Sequence, residues 1–297
     1  MIKQQSKTHI RALLADADSG PVVSVGVGDA MAARLASQVE GIDALLTSGF
    51  AISAQQLGLP DLEMYSRTEN VQAVEKICYV ASRPVIADMD TGYGNAVGVI
   101  KALHEFERAG VQGVVIEDQI SPKKCPVCVD ITNTILPMHE AAGKIRAAAE
   151  NRLNPETLII GRTDAVDFDD AVARAKAYRA AGADLVQPIS RVFKDADDIK
   201  RFIDAVEAPV SLVVLSWMEK LTYEELAALG PKIVHYALVP VTAVHHALKE
   251  SLTQLGAGRS PAGMTAVRSP HTDVVADMGM SIMTELEQKY LPKESEI

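Results

Sequence analysis

The sequence predicts a (β/α)8 (TIM) barrel, and three observations carry that expectation. Short β-branched runs alternate with longer amphipathic stretches, eight such runs fit into 297 residues, and glycine stops join helix ends to the strands that follow. A doubly wound open sheet is the alternative, because strand count alone does not close a barrel.

The strands are read, in order, at Val22–Val27, Ala44–Leu46, Val85–Ala87, Gly113–Ile116, Thr157–Ile160, Asp184–Val186, Val210–Leu215 and Ile233–Tyr236. Each is short, apolar and close to Gly, Pro, Asp or Ser, as buried parallel strands are. Helical patterns lie between them at Glu69–Ala81, Ala96–Ala109, Met138–Glu150, Asp169–Ala181, Ala196–Val206 and Tyr223–Leu229. Glu107-Arg-Ala-Gly-Val111 and Tyr178-Arg-Ala-Ala-Gly-Ala-Asp184 read as helix ends with a glycine stop. Two stretches break the alternation. The connection Gln119–Pro137, rich in Lys, Cys, Pro and Asn, is long enough to be functional. After Leu255 a linker, Gly256–Gly263, precedes a helical pattern at Thr272–Tyr290 that must pack on something, such as a neighbouring subunit. The chain is therefore read as one barrel domain over 1–297, with 256–297 as linker and helical extension.

Composition narrows the function classes. Apolar residues make 48% and charged residues 23% of the chain, as in a folded protein. Twenty-nine basic against thirty-nine acidic residues leave a net charge of −10, the wrong sign for a nucleic-acid partner held by bulk electrostatics. No apolar run reaches the roughly 18 residues of a membrane helix, and the N-terminal segment lacks the apolar core of a secretory signal. Three cysteines form no disulfide framework, which favours a reducing, cytoplasmic setting.

Barrel chemistry sits where strands end and βα loops begin, and those positions collect carboxylates. Asp88-Met-Asp90-Thr-Gly-Tyr-Gly-Asn95 follows the third strand, Glu117-Asp118 the fourth and Arg162-Thr-Asp164 the fifth. Ser48-Gly49 follows the second, and Asp61 closes Leu57-Gly-Leu-Pro-Asp61. Asp88 and Asp90 are two apart, so an extended segment points them the same way. Carboxylates converging on one mouth repel one another unless a cation shares them, and hard oxygen donors suit Mg2+ or Mn2+. The plainer reading, N-caps and turn formers, suits any one of these residues better than all of them together. A dinucleotide fingerprint is not met, because Gly26-Val-Gly28-Asp-Ala-Met lacks the third glycine.

At these residues the sequence resembles the isocitrate lyase and phosphoenolpyruvate mutase superfamily, from about Val22 to the C-terminus. The resemblance implies a (β/α)8 barrel binding Mg2+ (or Mn2+) and a 2-oxo acid or its enolate. It also implies a homotetramer, a dimer of dimers in which the C-terminal helix is swapped between subunits. By the same resemblance Asp88 is the direct metal ligand, and Asp61, Asp90 and Glu117 hold its water shell. Ser48, Gly49 and Arg162 would grip the substrate carboxylate, with Phe50, Tyr93, Gly94 and Asn95 beside them.

The loop after the fourth strand decides the reaction expected. It reads Lys123-Lys124-Cys125-Pro126-Val127-Cys128. The C–C lyases of the superfamily carry Lys-Lys/Arg-Cys-Gly-His, with the cysteine as proton donor, so this chain keeps the cysteine and departs at Pro126 and Val127. The mutase and phosphonopyruvate hydrolase branch has a lysine that Lys123 matches and an asparagine where Cys125 stands. Ser48–Gln55 and Lys289–Lys293 look mutase-like. The glutamate and the Asn-Met-x-Glu segment that bind the second carboxylate of isocitrate are missing, replaced by Gln187-Pro-Ile-Ser190 and Leu215-Ser-Trp-Met-Glu219.

The expectation is a Mg2+-dependent lyase cleaving a C–C bond of a small 2-hydroxy or 2-oxo di- or tricarboxylic acid. Cys125 is its loop acid, with Lys123 and Lys124 lowering the thiol pKa. Lys123, Cys125 and Arg162 are the catalytic candidates. P–C bond chemistry on a phosphonate (phosphoenolpyruvate mutase or phosphonopyruvate hydrolase) and oxaloacetate decarboxylation are the enzymatic alternatives, and a silent oxo-acid-binding barrel is the non-enzymatic one. Cys125 and Cys128 could form half a zinc site, but the one other cysteine, Cys78, lies in a helical pattern and the first histidine after the loop is His139. His235, at the end of the eighth strand, is a further substrate-contact candidate, as is Trp217; of His245 and His246 one is expected at the surface and one packed.

Overall fold

The computed structural model describes residues 8–16, 20–125 and 134–292. These fall into two compact units, one within Lys7–Val241 and one within Thr242–Ile297.

The elements run α1 (Ile10–Ala15), β1 (Val22–Val27), α2 (Ala30–Ala36), β2 (Ala44–Thr47), α3 (Gly49–Ile52), α4 (Arg67–Val80), β3 (Val85–Asp88) and α5 (Ala96–Ala109). They continue β4 (Gly113–Glu117), α6 (Met138–Asn151), β5 (Leu158–Thr163), α7 (Phe168–Ala180), β6 (Leu185–Pro188), α8 (Ala196–Val206), β7 (Ser211–Val213), α9 (Tyr223–Leu229) and β8 (Ile233–Tyr236). Then come α10 (Val239–Gly258), α11 (His271–Asp277) and α12 (Met280–Tyr290).

All eight strands pair in parallel, in the order β6-β5-β4-β3-β2-β1-β8-β7. A parallel bridge between Val186 and Val210 links β6 to β7, so the sheet curls into a nearly closed barrel and the open-sheet alternative fails. Side chains alternate between two cores. Val25, Leu45, Ala87, Val114, Ile116, Ile159, Val186, Leu212 and Val234 join the apolar layer under the helices. Val22, Leu46, Ile86, Val115, Leu158, Ile160, Leu185 and Ile233 fill the barrel interior. Ile10 of α1 joins this interior, and its backbone N–H donates to Gln112 Oε1 at 2.8 Å just before β4, sealing the floor. Gly26 cannot carry a side chain, because a Cβ would stand 2.0 Å from the Ala237 carbonyl oxygen.

Most strand ends lie beyond the sequence reading, whereas β7, read at Val210–Leu215, is shorter, covering Ser211–Val213. β2, β3, β4, β5 and β6 run past the last apolar residue to Thr47, Asp88, Glu117, Thr163 and Pro188. Ladder pairing is indifferent to side-chain polarity, so it continues into the functional residues. Gly110, at φ 101°, and Gly182, at φ 104°, end α5 and α7 as the glycine stops predicted.

In the second unit the helix expected over Thr272–Tyr290 is two, α11 and α12, because Gly279 adopts φ 88° between them. The first three residues of the predicted linker are helical, since α10 runs to Gly258. Gln254 Oε1 accepts from the Thr265 and Ala266 backbone N–H groups at 2.8 and 3.1 Å. Val274, Val275, Met280, Ile282 and Met283 are exposed in the single chain, as are both His245 and His246. Among the described residues no helix is long and apolar enough to cross a membrane.

Candidate active site

Alternation along each strand builds the site. One step above Ile86, Val115, Ile160 and Leu185, the next inward positions are Asp88, Glu117, Arg162 and Gln187, and all four line one cavity at the C-terminal mouth. Ser48, Gly49, Phe50, Asp61, Lys123 and Cys125 line it too. Its volume, ≈ 270 Å3, lies below the roughly 300–1,000 Å3 of pockets for drug-sized ligands, so it suits a small acid.

Lys123 occupies the middle of the carboxylates. Its ammonium pairs with Asp90 and lies 3.4 Å from Asp61 Oδ1 and 3.7 Å from Asp88 Oδ2. Burial alone would lower its pKa, but Asp61, Asp88, Asp90 and Glu117 outweigh burial and hold it charged. Burial would raise the Asp88 carboxyl, yet Lys123 and Arg162 keep it below its ordinary value. Asp90 is pushed up to about 6 by burial, against Lys123 and with the help of Asp88 and Asp61. The sharp turn that carries these acids is held by the Asp90 N–H donating to Asp88 Oδ1 at 3.0 Å, with Asp90 at φ 49°.

Arg162 is a crossing point between strands. Its Nε and Nη2 donate to Asp164 at 2.7 and 3.0 Å, and Nη1 reaches Glu117 Oε2 at 2.9 Å. The fork edge expected to hold a substrate is thus taken by Asp164, leaving the outer N–H of each terminal nitrogen for a ligand. Burial raises the Glu117 carboxyl well above its ordinary value, although Arg162 and Lys123 oppose it. Asp164 is fixed in turn: its N–H donates to Asp118 Oδ1 at 2.8 Å, and Asp118 Oδ2 accepts from Tyr178 Oη at 2.6 Å.

The loop after β4 is closed at its base and pinned near the cavity. Ile120 N donates to Thr134 O at 2.9 Å and Leu136 N to Asp118 O at 2.8 Å. Glu63 Oε2 accepts from Ser121 Oγ and from Lys123 N, both at 2.8 Å, and Cys125 N donates to Asp61 O at 3.2 Å. Cys125 is buried in the cavity wall. The Lys123 ammonium makes its ion pairs with the carboxylates. Pro126, Val127, Cys128 and Lys293 lie outside the described residues.

Several expected contacts are not at the cavity. Tyr93 donates to Asp90 Oδ2 at 2.6 Å and stacks on Phe106, so it braces the acid turn from behind. Gly94, at φ 135°, forms the turn, and Asn95 caps α5 by accepting from Val97 N and Gly98 N at 3.1 Å each. Asp90 sits one layer back, fully enclosed. His235 is wholly buried inside the barrel rather than at the mouth, because it shares the inward layer of Ser24 and lies below Ala237. Trp217 donates to Phe193 O at 3.2 Å and does not line the cavity. Tyr65, whose hydroxyl donates to Asp90 Oδ1 at 3.2 Å, and Glu63 went unread, since neither falls at a strand end.

The donor set fits a hydrated hard cation. Asp61 Oδ1 and Glu117 Oε1 are buried without a hydrogen-bond partner, and no histidine is among the residues lining the cavity. Among the described residues no three acidic, His or Cys side chains close directly around one point. Mg2+ keeps several of its waters and takes one or two carboxylates directly, so spaced carboxylates with oxygens that accept no hydrogen bond suit Mg2+ or Mn2+.

Barrel, mouth and acid cluster together define a class of enzyme fold that acts at strand C-termini. The chain belongs to the phosphoenolpyruvate phosphomutase family, within the isocitrate lyase/phosphoenolpyruvate mutase superfamily: the family model matches residues 10–255. It is 34% identical over 274 residues to a 2,3-dimethylmalate lyase of Eubacterium barkeri, covering 91% of this chain and 93% of that one. It is 36% identical to an oxaloacetate decarboxylase of Chromohalobacter salexigens, covering 77% of each. A crystal structure of phosphonopyruvate hydrolase with oxalate and Mg2+ superposes with a TM-score of 0.85 at 30% identity, covering 95% of this chain and 99% of that one.

Proposed function

We propose that the protein is a Mg2+- or Mn2+-dependent lyase that cleaves a C–C bond of a small 2-hydroxy or 2-oxo di- or tricarboxylic acid through an enolate. The observation that carries this reading is the position of Cys125: a thiol in the wall of the cavity that also holds Asp88, Glu117 and Arg162. Asp88 would hold the ion directly, with Asp61 and Glu117 around its waters and Asp90 behind them fixing the turn that carries Asp88, and the bound ion would supply Lewis-acid polarisation of the 2-oxygen.

The protein groups then divide the work. Ser48, Gly49 and the outer edge of Arg162 bind the carboxylate next to the reacting carbon. Lys123 keeps the acid cluster from repelling an anionic substrate. For a 2-hydroxy acid, a carboxylate lining the cavity takes the hydroxyl proton, the C2–C3 bond breaks, and C2 becomes a carbonyl. The bond's electron pair passes to C3 as the enolate of the leaving acid, and the Cys125 thiol returns a proton to C3.

A second reading is oxaloacetate decarboxylation, favoured by the 36% identity to the Chromohalobacter enzyme. A third is phosphonopyruvate P–C chemistry, favoured by the structural match to the hydrolase. Incubation with Mg2+ and 2,3-dimethylmalate, 2-methylisocitrate, oxaloacetate or phosphonopyruvate separates them, read by 2-oxo acid release, CO2 and phosphorus NMR. Turnover confined to oxaloacetate or phosphonopyruvate removes the lyase reading. The exposed apolar residues of α11 and α12 support a homotetramer in which these helices pack on a neighbouring subunit, and the three-cysteine composition supports a cytoplasmic setting.

A further inference from the structure

The barrel interior contains a polar relay that the chemistry above does not use. Ser211 of β7 and His235 of β8 are fully buried among apolar inward residues. His235 Nε2 lies 2.8 Å from Ser211 Oγ, and Ser211 Oγ donates to Gln187 Oε1 at 3.0 Å. Gln187, near the end of β6, stands in the cavity wall. A polar chain thus rises from the middle of the barrel to the floor of the site.

Hydrogen counting fixes its direction. The Ser211 hydroxyl has one hydrogen, given to the Gln187 carbonyl oxygen, so His235 Nε2 carries the hydrogen that Ser211 accepts. His235 is then neutral, in keeping with burial, which brings its pKa down to about 4. Its Nδ1 is left as a buried acceptor without a partner. Reversing the amide would put an unpaired N–H there instead, and orphaned buried N–H groups are the rarer of the two. The Gln187 oxygen is thereby held from below, while among the described residues its NH2 donates no hydrogen bond and the side chain lines the cavity.

The surroundings say what that NH2 meets. The acids and Lys123 lie on the β2–β5 side of the cavity, whereas the lining from β6 onward has no carboxylate. Val213, Leu215 and Leu238 make it apolar. Such a wall accepts an alkyl-bearing carbon that ends in an anion.

We infer that Gln187 is a specificity-determining residue that donates its amide N–H to the distal carboxylate of an alkyl-substituted dicarboxylic acid, with Ser211 and His235 as positioning residues that prevent the amide from reversing. This inference rests on the reading of the cavity as a carboxylic-acid site. An unrestrained amide could present its oxygen to the carboxylate; the relay removes that orientation.

The test is calorimetric titration of the full chain in Mg2+ with two probes. Oxalate fills the Arg162 end alone, and 2-methylmalate adds a substituted carbon and a distal carboxylate. Gln187→Leu and Gln187→Glu are expected to weaken 2-methylmalate by about tenfold or more while oxalate changes less than twofold. Ser211→Ala is expected to shrink the preference for 2-methylmalate over its distal monoamide, a ratio that a purely structural role would leave unmoved. Equal weakening of both probes by the Gln187 variants, unchanged 2-methylmalate binding, or an unmoved ratio in Ser211→Ala overturns the inference. A parent that binds oxalate but not 2-methylmalate overturns it alone; a parent that binds neither overturns the carboxylic-acid site as well.

Discussion

Lys123 and Asp90 form an ion pair with side chains only 2% and 0% exposed, inside a cluster that also contains Asp61 and Asp88. An enclosed pair of this kind tolerates the loss of neither partner, because the survivor keeps a buried charge. Lys123→Met is therefore expected to lower stability by about 3–5 kcal/mol in chelator. Mg2+ should raise the Tm of the variant more than that of the parent, since the cation takes over the role of the ammonium. Melting curves with and without Mg2+ decide this, and equal Mg2+ shifts in both proteins would remove the ammonium-for-cation relationship.

Asp88→Ala should abolish metal-dependent turnover while circular dichroism stays that of the parent. EDTA should silence the parent, and Mg2+ or Mn2+ should restore it, because Asp88 and Glu117 present hard oxygen donors to the cavity. Full activity after exhaustive metal removal would contradict the mechanism at its root.

Cys125→Ser should lower kcat by about 10²–10⁴-fold, the range of a lost general acid, with KM little changed. Single-turnover kinetics in deuterated solvent locate the loss at proton return. A variant that keeps most of its activity moves the decarboxylase and mutase readings ahead.

His235 supplies a pH dependence of stability. Its pKa falls from 6.5 to about 4 on burial, so the unfolded chain takes up a proton near 6.5 that the folded chain refuses until about 4. The stabilisation is complete above 6.5 and is lost as pH falls through that window, by up to about 3 kcal/mol. His235→Gln should show a shallower fall of Tm between pH 6.5 and 4 than the parent. Superimposable profiles would refute the assignment.

Deletion after Ala262 removes α11 and α12, whose Val274, Val275, Met280, Ile282 and Met283 are exposed in the single chain. Sedimentation should show a smaller assembly, or aggregation, than for the full chain. An unchanged assembly after truncation argues against packing through these helices.

The barrel was legible because its strands are short and mostly apolar: Val22–Val27 and Ile233–Tyr236 fall where the sequence reading put them. Their ends were not, since Asp88, Glu117 and Thr163 continue the ladders without continuing the apolar run. The acids were legible as strand-end residues, and Asp61, Asp88, Glu117, Lys123, Cys125 and Arg162 do share one cavity. Tyr93 and His235 show the limit. Nearness in sequence to Asp90 or to a strand terminus does not say whether a side chain faces the mouth, and here one braces a turn while the other lies a layer down. Gln187 was read only as part of the segment that replaces a glutamate, because its hydrogen bond comes from Ser211, which lies on a different strand.

The floor closed by Ile10 turns the barrel into a cul-de-sac. On the lyase reading, both fragments of a cleaved acid would leave by the mouth, past Cys125. The fragment held at Arg162 would lie beside the acids, and the other against the apolar wall from β6 onward. Departure in a fixed order would follow from that geography, the fragment away from Arg162 and the ion first and the 2-oxo acid last. Traffic through the mouth, rather than bond breaking, would then set the pace whenever the 2-oxo acid is abundant.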